Sequence, residues 1–417
     1  MAGKKLSTDP YKGVRDFYPE DMYTLRYLFD TMSRVAESFG YSEYGASILE
    51  PSELYRSKTS EEIVSEQTYS FVDRGGREVT LRPEMTPTIA RMVVARRMEL
   101  PFPLRWYSIP NVFRYERSQR GRLREHYQLN VDLFGVPGLD AEVEMIMLAS
   151  EVMKSFGATE NDFEIRVSDR NLFTSIFDEC NIPEDLRAHI MRLLDKKDKI
   201  ENFEDALHEL APEYAKRFLE LLSTVSGTVA LETLIGRLKE LGITNAVIDP
   251  SIVRGFDYYN GIVFEVYDTS PENSRALCGG GRYDNLLELF GIDSIPAIGF
   301  GMGDVRILDF LETHNLLPKY SAPADVFLCT LTEGAKEFAA ALAKDMRAND
   351  VHVEVSLSNK KVGDQIKLAD KKKIPFVICI GENEMRTGEM TIKHLASGKE
   401  AVVTKDTVAD YVFSNIS

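Results

Sequence analysis

The densest group of side chains that could bind a phosphate or a carboxylate lies in FRYERSQRGRLREHYQLNVDLFG, residues 113–135. Period-two alternation places Arg114 and Glu116 on one side of a first strand, and Gln128 and Asp132 on one side of a second. Between the strands runs a loop rich in arginine, the residue suited to paired contacts with carboxylate and phosphate oxygens. A hairpin with a solvated arginine loop would explain the arginines alone. Because the polar sides of both strands converge, the pattern favours an anion-binding site.

Two further stretches could complete such a site. In LRPEMTPTIAR, residues 81–91, Glu84 and Thr86 stand where a strand gives way to a helix, and they could hold an ammonium group. Capping of the helix by Thr86 would explain the same pattern without a ligand. In GFGMGDVRIL, residues 299–308, glycine alternates with apolar residues before Arg306. A tight junction between a strand and a helix would explain these glycines equally well.

A polar turn leads into a strand-like run in RGFDYYNGIVFEV, residues 254–266. Tyr258 and Tyr259 carry hydroxyl groups that can donate or accept a hydrogen bond at the end of a stiff ring. Successive residues of a strand face opposite sides, so Tyr258 could instead be a core residue. The stretch predicts a polar pocket on a sheet.

The elements that must position these residues follow from the hydrophobic pattern. Apolar residues at helical spacing predict a helix near 20–40 that stops at Gly40. A strand ending at Pro51 follows, and the run around Arg-Gly-Gly at 74–76 predicts a β-hairpin. PTIARMVVARRM and AEVEMIMLASEVMKSFG predict helices on either side of the arginine-rich hairpin.

The composition and the predicted secondary structure change at two points along the chain. Residues from about 170 to about 245 are charged and helical with few β-branched residues, which predicts an inserted helical bundle. After PKYSAPA, strands and helices alternate, which predicts a small α/β domain. The predicted organisation is a first domain over 1–321, with its insertion, and a second domain over 322–417.

Composition excludes several classes of protein. The net charge of -16 argues against coating of nucleic acid by the whole surface, while 322–417 is nearly neutral. Four scattered cysteines without CxxC, and six histidines without HExxH, predict neither a disulfide framework nor a zinc site. The absence of a long uncharged apolar run and of a secretory signal predicts a cytoplasmic protein without a membrane span.

In this order and spacing, the helix and strand ending at Pro51, residues 113–132 and residues 299–308 resemble the three motifs of class II aminoacyl-tRNA synthetases. RGFDYYNGIVFEV, together with LCGGGRYDNLL at 277–287, resembles the two histidine-specific motifs of the histidyl-tRNA synthetase family. The resemblance covers essentially the whole chain. It implies a mixed α/β (α+β) fold: an antiparallel-sheet catalytic domain with a helical insertion, followed by an α/β anticodon-binding domain.

The same resemblance implies activation of L-histidine with ATP and transfer of the histidyl group to the terminal ribose of tRNA(His). The partners implied are tRNA(His), L-histidine and ATP with Mg²⁺, without a permanently bound cofactor, in a homodimer formed through the first motif. The rival interpretation is a catalytically silent paralogue that serves as a regulatory subunit or as a sensor of uncharged tRNA. Such paralogues tend to lose the catalytic arginines, the histidine motifs or the anticodon-binding domain.

The resemblance also assigns roles to residues. Arg114 and Arg254 are expected to be catalytic, on either side of the ATP α-phosphate, where they would stabilise charge that develops on phosphorus. The expected ATP-binding residues are Arg114, Glu116, Arg122, His126 and Arg306. The expected histidine-binding residues are Glu84, Met85, Thr86, Arg114, Gln128, Asp132, Arg254, Tyr258, Tyr259 and Tyr283. No all-protein metal site is expected.

The imidazole ring of a histidine ligand needs an acceptor for one nitrogen and a donor-capable group for the other. Asp132 is expected to supply the acceptor, and either Tyr259 or Tyr283 the second group. Glu84, Thr86 and Gln128 are expected to hold the α-amino group.

The chain departs from the family pattern at four positions. Met85 stands where members often have glycine, and Asp304–Val305 where many have an apolar residue and then glutamate. His126 replaces the usual phenylalanine under the adenine, and Arg306 is expected on the other face. Protonation of His126 near pH 6.5, its ordinary pKa, would weaken ATP binding. If the strand register differs, Tyr127 would carry the adenine instead.

The lysines of the second domain, at 360, 361 and 371–373, fit solvated helix faces. The resemblance implies a tRNA contact by this domain, but by no particular lysine.

Overall fold

The computed structural model describes residues 6–56, 67–116, 122–195, 197, 200, 202–224, 227–252, 258–273 and 275–415. Arg254, one of the two expected catalytic residues, lies outside the described residues. The chain divides into two compact units, Met1–Pro318 and Lys319–Ser417.

The secondary structure of the first unit alternates between strands and helices. Its helices are α1 Pro19–Ser38, α2 Glu53–Arg56, α3 Thr86–Arg96, α4 Leu139–Ser155, α5 Arg170–Glu179, α6 Glu184–Asp195, α7 Phe203–Leu210, α8 Ala215–Thr224, α9 Val229–Glu240 and α10 Asp304–Thr313, with a 3₁₀ helix at Leu286–Phe290. Its strands are β1 Ser42–Glu43, β2 Leu49–Pro51, β3 Tyr69–Val72, β4 Glu78–Leu81, β5 Leu104–Ser108, β6 Asn111–Phe113, β7 Glu125–Phe134, β8 Phe163–Asp169, β9 Ala246–Ile248, β10 Ile262–Asp268, β11 Ala276–Arg282 and β12 Ala297–Gly303.

Nine of these strands, within the described part of the chain, form one sheet in the order β1-β5-β7-β12-β11-β10-β8-β9, with β6 paired to β7. The pairings β1–β5 and β8–β9 are parallel, and the others are antiparallel. The register of β7 and β12 places Asp132 opposite Gly299. This pairing brings the arginine-rich hairpin beside the glycine-rich strand, and it confirms the predicted antiparallel sheet.

Helix α1 follows the predicted pattern closely. Its buried residues, Leu25, Leu28, Met32 and Val35 among them, recur at helical spacing, and the last three belong to the main core. Burial of each such aliphatic side chain stabilises the fold by about 1.5–3 kcal/mol. The helix ends at Ser38, and Gly40 has φ +82°, a left-handed conformation that glycine adopts without steric strain.

The hairpin around Arg-Gly-Gly is also present. Strands β3 and β4 pair antiparallel, with β2 on the other side of β4 in a separate sheet. Asp73 closes the turn because its carboxylate accepts hydrogen bonds from the backbone N–H groups of Gly75 and Arg77, at 2.8 and 2.9 Å. Such an Asx turn fixes the register of the two strands.

The helical segment after β8 divides between two cores. Helices α5 to α8 enclose their own apolar cluster, in which the rings of Phe177 and Phe218 stack at 5.7 Å. Helix α9 instead packs Leu231, Leu234 and Leu238 into the core of the main sheet. The helices that enclose the separate cluster span residues 170–224, a shorter range than the predicted insertion at about 170–245.

A search of the described residues finds one stretch, Ala215–Glu240, that is long and apolar enough to cross a membrane by length and composition alone, although the sequence pattern predicts none. In the structure α8 ends at Thr224, and α9 begins after Thr228. Thr228 has an extended backbone, and its hydroxyl oxygen caps α9 by accepting a hydrogen bond from the Leu231 N–H. The apolar faces of α8 and α9 pack into the two protein cores described above.

The second unit is a small α/β fold. Its strands are β13 Val326–Thr330, β14 Val353–Val355, β15 Phe376–Ile380, β16 Glu389–His394 and β17 Glu400–Thr404, in the order β14-β13-β15-β16-β17. Its helices are α11 Glu333–Ala348, α12 Val362–Lys371, α13 Glu382–Thr387 and α14 Val408–Asn415. The parallel part, β14-β13-β15, matches the predicted alternation, whereas the β16–β17 hairpin was not predicted.

Candidate active site

Two adjoining cavities lie on one face of the nine-stranded sheet. The larger is a cleft of about 1000 Å³, and the smaller is a pocket of about 110 Å³. Both are lined by Arg114, Gln128, Gly279 and Gly301. A ligand in the pocket and a ligand in the cleft would therefore meet beside the Arg114 guanidinium.

Besides Arg114, the pocket brings together polar residues from four places in the chain. They are Glu84 and Thr86 at the start of α3, Gln128, Asn130 and Asp132 on β7, Tyr258 and Tyr259 before β10, and Tyr283 after β11. The three residues of β7 share a face because side chains alternate along a strand. Of the expected histidine-binding residues, Arg254 lies outside the described residues, and Met85 is buried without lining either cavity.

The start of α3 contributes to the pocket rather than only to helix capping. Met85 is the N-cap residue and makes no side-chain capping bond, whereas the Thr86 side chain lines the pocket. The Tyr258 hydroxyl donates to Glu84 Oε2 at 2.9 Å and lies 3.5 Å from Thr86 Oγ1. Tyr258 is therefore both buried and part of the pocket, and the interpretation of Tyr258 as purely core is wrong.

Asp132 is deeply buried in the pocket, with 3% of its surface exposed, as is Glu84. The Tyr283 hydroxyl donates to its Oδ1, while Oδ2 has no hydrogen-bond partner among the described residues. Burial raises the pKa of Asp132 to about 7, although the bond from Tyr283 acts in the opposite direction. An unsatisfied buried acceptor costs about 1–3 kcal/mol, so the site favours a ligand that presents an N–H donor here.

The glycines of β12 keep the pocket open. A Cβ atom at Gly299 would lie 2.6 Å from Asp132 Oδ1, and one at Gly301 would lie 2.0 Å from Gln128 Nε2. Any side chain at either position would have to displace a polar group of β7. The alternation of glycine in GFGMG thus reflects close approach of two strands around a cavity, and not only a tight junction with α10.

All five expected ATP-binding residues line the larger cleft: Arg114, Glu116, Arg122, His126 and Arg306. Arg122 Nη1 lies 2.9 Å from Glu116 Oε2, and Arg114 Nε donates to the Pro83 carbonyl at 2.9 Å. Burial, with the neighbouring charges of Arg275 and Arg122, lowers the pKa of Arg306 to about 10. A concave wall carrying several guanidinium groups suits a polyanionic ligand.

The register of β7 turns His126, and not Tyr127, towards the cleft. Tyr127 lies edge-on to the rings of Phe17 and Phe29, with ring centroids at 6.3 and 5.1 Å. Burial, with the charges of Arg114 and Arg15, lowers the pKa of His126 to about 3. His126 is therefore neutral throughout the physiological range, and the expected titration near pH 6.5 is wrong.

Several cleft residues were missed by the sequence analysis. Arg166 on β8 and Arg275 before β11 also line the cleft, as does the turn at 268–273. Asp268 shapes this turn, since it accepts from Ser270 N–H at 2.8 Å and from Asn273 Nδ2 at 2.7 Å. The signal in the sequence was that Arg275 stands two residues before the glycine-rich stretch at 277–287.

The described residues contain no group of three or more metal-ligating side chains. Glu116 and Glu265 line the cleft beside the arginines. Mg²⁺ bound to substrate phosphates typically uses one or two carboxylates, so this donor set is compatible with a magnesium–nucleotide complex.

Comparison with known proteins identifies the family. The family model described as Histidyl-tRNA synthetase matches residues 13–306, and the model described as Anticodon binding domain matches residues 325–415. The chain is 43% identical to the histidine–tRNA ligase of Leptospira biflexa over 95% of each chain. It is 37% identical to that of Thermoplasma volcanium over 99% of this chain and 100% of the relative.

A solved structure shows the same fold. The histidyl-tRNA synthetase of Nostoc sp. PCC 7120 superposes with a TM-score of 0.82 at 23% identity, covering 98% of this chain and 100% of that one. From the match over residues 13–306 and the identity with these relatives, the chain belongs to the histidyl-tRNA synthetase family.

Proposed function

We propose that the chain is a histidine–tRNA ligase that forms histidyl-adenylate and then transfers the histidyl group to the 3′-terminal ribose of tRNA(His). The observation that carries the proposal is the pair of adjoining cavities. The pocket offers Asp132 Oδ2 as an acceptor for an imidazole N–H, and it opens at Arg114 into a cleft lined with arginines.

In the first step a carboxylate oxygen of histidine attacks the α-phosphorus of ATP. A new O–P bond forms, the bond to the bridging oxygen breaks, and pyrophosphate leaves. The two reactants are both anions, so guanidinium groups beside the phosphorus reduce their repulsion and stabilise the developing charge. Arg114 occupies the junction of the two cavities, and we assign it this role together with Arg254.

The pocket would position histidine through both of its ends. The Glu84 carboxylate, oriented by the Tyr258 hydroxyl, would hold the ammonium group with Thr86 and Gln128. Asp132 and the tyrosines at 259 and 283 would surround the imidazole. Mg²⁺ on the phosphates, beside Glu116 and Glu265, would neutralise the charge of the leaving pyrophosphate.

In the second step a ribose hydroxyl of tRNA attacks the carbonyl carbon of the adenylate, and AMP leaves. The second unit is matched by the anticodon-binding model over 325–415, so we assign anticodon contacts to it. The lysines at 360, 361 and 371–373 are exposed, as contacts with RNA phosphates require. Lys372 pairs with Glu354, and the Lys373 ammonium lies 5.3 Å from the centre of the Tyr320 ring.

The paralogue interpretation is less supported. It predicts loss of the cleft arginines, of the histidine motifs or of the anticodon-binding domain. The structure retains Arg114, Arg122 and Arg306 in one cleft, and the second unit matches the anticodon-binding model.

We place the enzyme in the cytoplasm as a homodimer.

The proposed function predicts pyrophosphate exchange that depends on histidine. The purified chain with Mg²⁺ and ATP should incorporate labelled pyrophosphate into ATP only when L-histidine is added.

Arg254→Ala should lower the rate of pyrophosphate exchange on the order of 10²–10³-fold, the usual cost of removing one hydrogen-bond donor to the transition state. Absence of histidine-dependent exchange in the parent protein would instead support the paralogue.

Asp132→Asn should weaken histidine binding more than ATP binding. An amide that presents its N–H₂ to the imidazole N–H places two donors face to face, at a cost of about 1–3 kcal/mol. The measurement is the KM of each substrate in pyrophosphate exchange. Asp140→Asn, an exposed acid that pairs with Arg237, is the control. An unchanged histidine KM in the Asp132 variant would place imidazole recognition elsewhere.

The pKa of Asp132 adds a pH dependence with a definite sign. The ionised carboxylate accepts the imidazole N–H and the protonated one does not, so histidine binding should weaken as pH falls through about 7. The KM of the parent should rise as pH falls from 8 to 6. In Asp132→Asn only the titration of free histidine should remain.

His126→Phe should be tolerated, with an ATP KM equal to or lower than that of the parent. Both rings offer a flat face to adenine, and phenylalanine offers the larger one. Because the pKa of His126 is about 3, the imidazole is neutral from pH 6 to 8, so the parent and the variant should show the same pH profile of ATP KM. If the ATP KM of the parent changes between pH 6 and 8 and that of the variant does not, His126 titrates in this range.

The proposed homodimer predicts a mass in solution twice the 47.2 kDa of one chain. Multi-angle light scattering at micromolar concentration is the direct measurement, because a permanent interface of standard size or larger remains closed there. A fully active monomer under these conditions would contradict the dimer.

A further inference from the structure

A partly buried ion pair beside the cleft joins the N-terminal segment to the third motif. Arg15 Nη2 lies 2.6 Å from Asp304 Oδ2, and 2% of the Asp304 side chain is exposed. The other oxygen, Oδ1, accepts from the Tyr127 backbone N–H at 3.1 Å. Burial raises the pKa of Asp304, while the Arg15 guanidinium acts in the opposite direction. A carboxylate this deeply buried requires a compensating cation to remain ionised.

The hydrogen bond between Tyr127 and Asp304 joins two elements that carry cleft residues. Asp304 is the first residue of α10, and Arg306 follows two residues later. Tyr127 adjoins His126 on β7. Since His126 and Arg306 both line the cleft, the Asp304 carboxylate links the strand that carries one to the helix that carries the other.

Arg15 is itself held in place before α1. The Gly13 carbonyl accepts from the Arg124 backbone N–H at 2.7 Å, at the end of the arginine-rich loop. The Arg15 guanidinium lies over the Phe17 ring at 4.8 Å, and that ring packs edge-on against Tyr127. The N-terminal segment therefore contacts both the second and the third motif.

We propose that Arg15 is a positioning residue for nucleotide binding, which acts through Asp304 to fix the separation of His126 and Arg306. This inference rests on the proposed function, since it takes the cleft to be the ATP site. Arg15 does not line the cleft, so its effect on ATP is indirect.

A positioning role and a merely structural role differ in which substrate they affect. The pocket residues Glu84 and Tyr283 are held by hydrogen bonds to Tyr258 and Asp132, which do not involve Arg15. Loss of Arg15 should therefore alter ATP binding and leave histidine binding nearly unchanged. A general loss of folding would affect both substrates.

The test compares Arg15→Ala, Arg15→Lys and the parent in pyrophosphate exchange and in calorimetric binding of ATP alone. Arg15→Ala should raise the ATP KM about tenfold or more, since small misplacements of binding groups cost up to about 10²-fold. The histidine KM should stay within about twofold, a difference too small to count as a lost contact. Arg15→Lys should restore part of the ATP affinity, because an ammonium group can still pair with Asp304.

The control is Arg237→Ala, which breaks an ion pair of the same 2.6 Å length with Asp140 at the surface, where the side chains are 39% and 75% exposed. It should leave both KM values unchanged. In the double variant Arg15→Ala/Asp304→Asn, the loss of ATP affinity should be smaller than the product of the two single losses, as for residues that act together.

An ATP KM in Arg15→Ala equal to that of the parent would overturn the inference, as would equal increases in both KM values. If Arg15→Ala does not fold, Arg15→Lys and Asp304→Asn decide the question by the same ratio of KM values. Failure of the proposed function gives a different result: the parent then shows no histidine-dependent exchange, while calorimetry still reports whether Arg15 affects ATP binding.

Discussion

The antiparallel pairing of β7 with β12 is the contact on which both cavities depend. It sets the polar face of β7 opposite a strand whose alternate residues are glycine, with Asp132 facing Gly299. Polar side chains buried on a sheet are ordinarily covered by the side chains of the next strand, but a Cβ at Gly299 or Gly301 would collide with them. The sheet thus buries hydrogen-bonding groups without filling the space in front of them. The hydrogen bond from the Tyr283 hydroxyl offsets part of the free-energy cost of burying the Asp132 carboxylate. A hydrogen bond from a ligand to Oδ2 could offset the rest.

The cleft is rich in arginine, whereas the chain as a whole carries an excess of acidic residues. The net charge is -16, yet the cleft gathers Arg114, Arg122, Arg275 and Arg306 on its walls. Their mutual repulsion contributes, after burial, to the lowered pKa of Arg306, which at about 10 still leaves that side chain protonated at neutral pH. A polyphosphate bound in the cleft, as the proposed function requires, would relieve this repulsion, and the relief would contribute to its binding free energy. The net negative charge of the whole chain disfavours non-specific binding of anions.

The sequence predicted the elements whose signals are local. The spacing of apolar residues specified α1, the Arg-Gly-Gly turn specified the β3–β4 hairpin, and period-two alternation identified the polar face of β7. It did not predict features that depend on how the chain turns in space. Tyr258 and Tyr259 both line the pocket because they precede β10, so strand alternation does not apply to them. Arg275 is brought to the cleft by a turn, and α9 joins the main core through long-range packing.

The junction before α3 explains how an amino acid could be recognised at both of its charged groups by one short segment. Pro83 accepts a hydrogen bond from Arg114 Nε, and Glu84, the next residue, is held by Tyr258. Arg114, proposed to lie beside the reacting carboxylate and phosphorus, and Glu84, proposed to bind the ammonium group, are therefore fixed relative to each other through two adjacent residues. Asp132 lies elsewhere in the pocket, on β7, and depends on a different partner, Tyr283. Recognition of the α-amino acid and recognition of its side chain thus use different hydrogen bonds, and the edge-on contact of the Tyr258 and Tyr283 rings, with centroids 5.9 Å apart, joins the two supports.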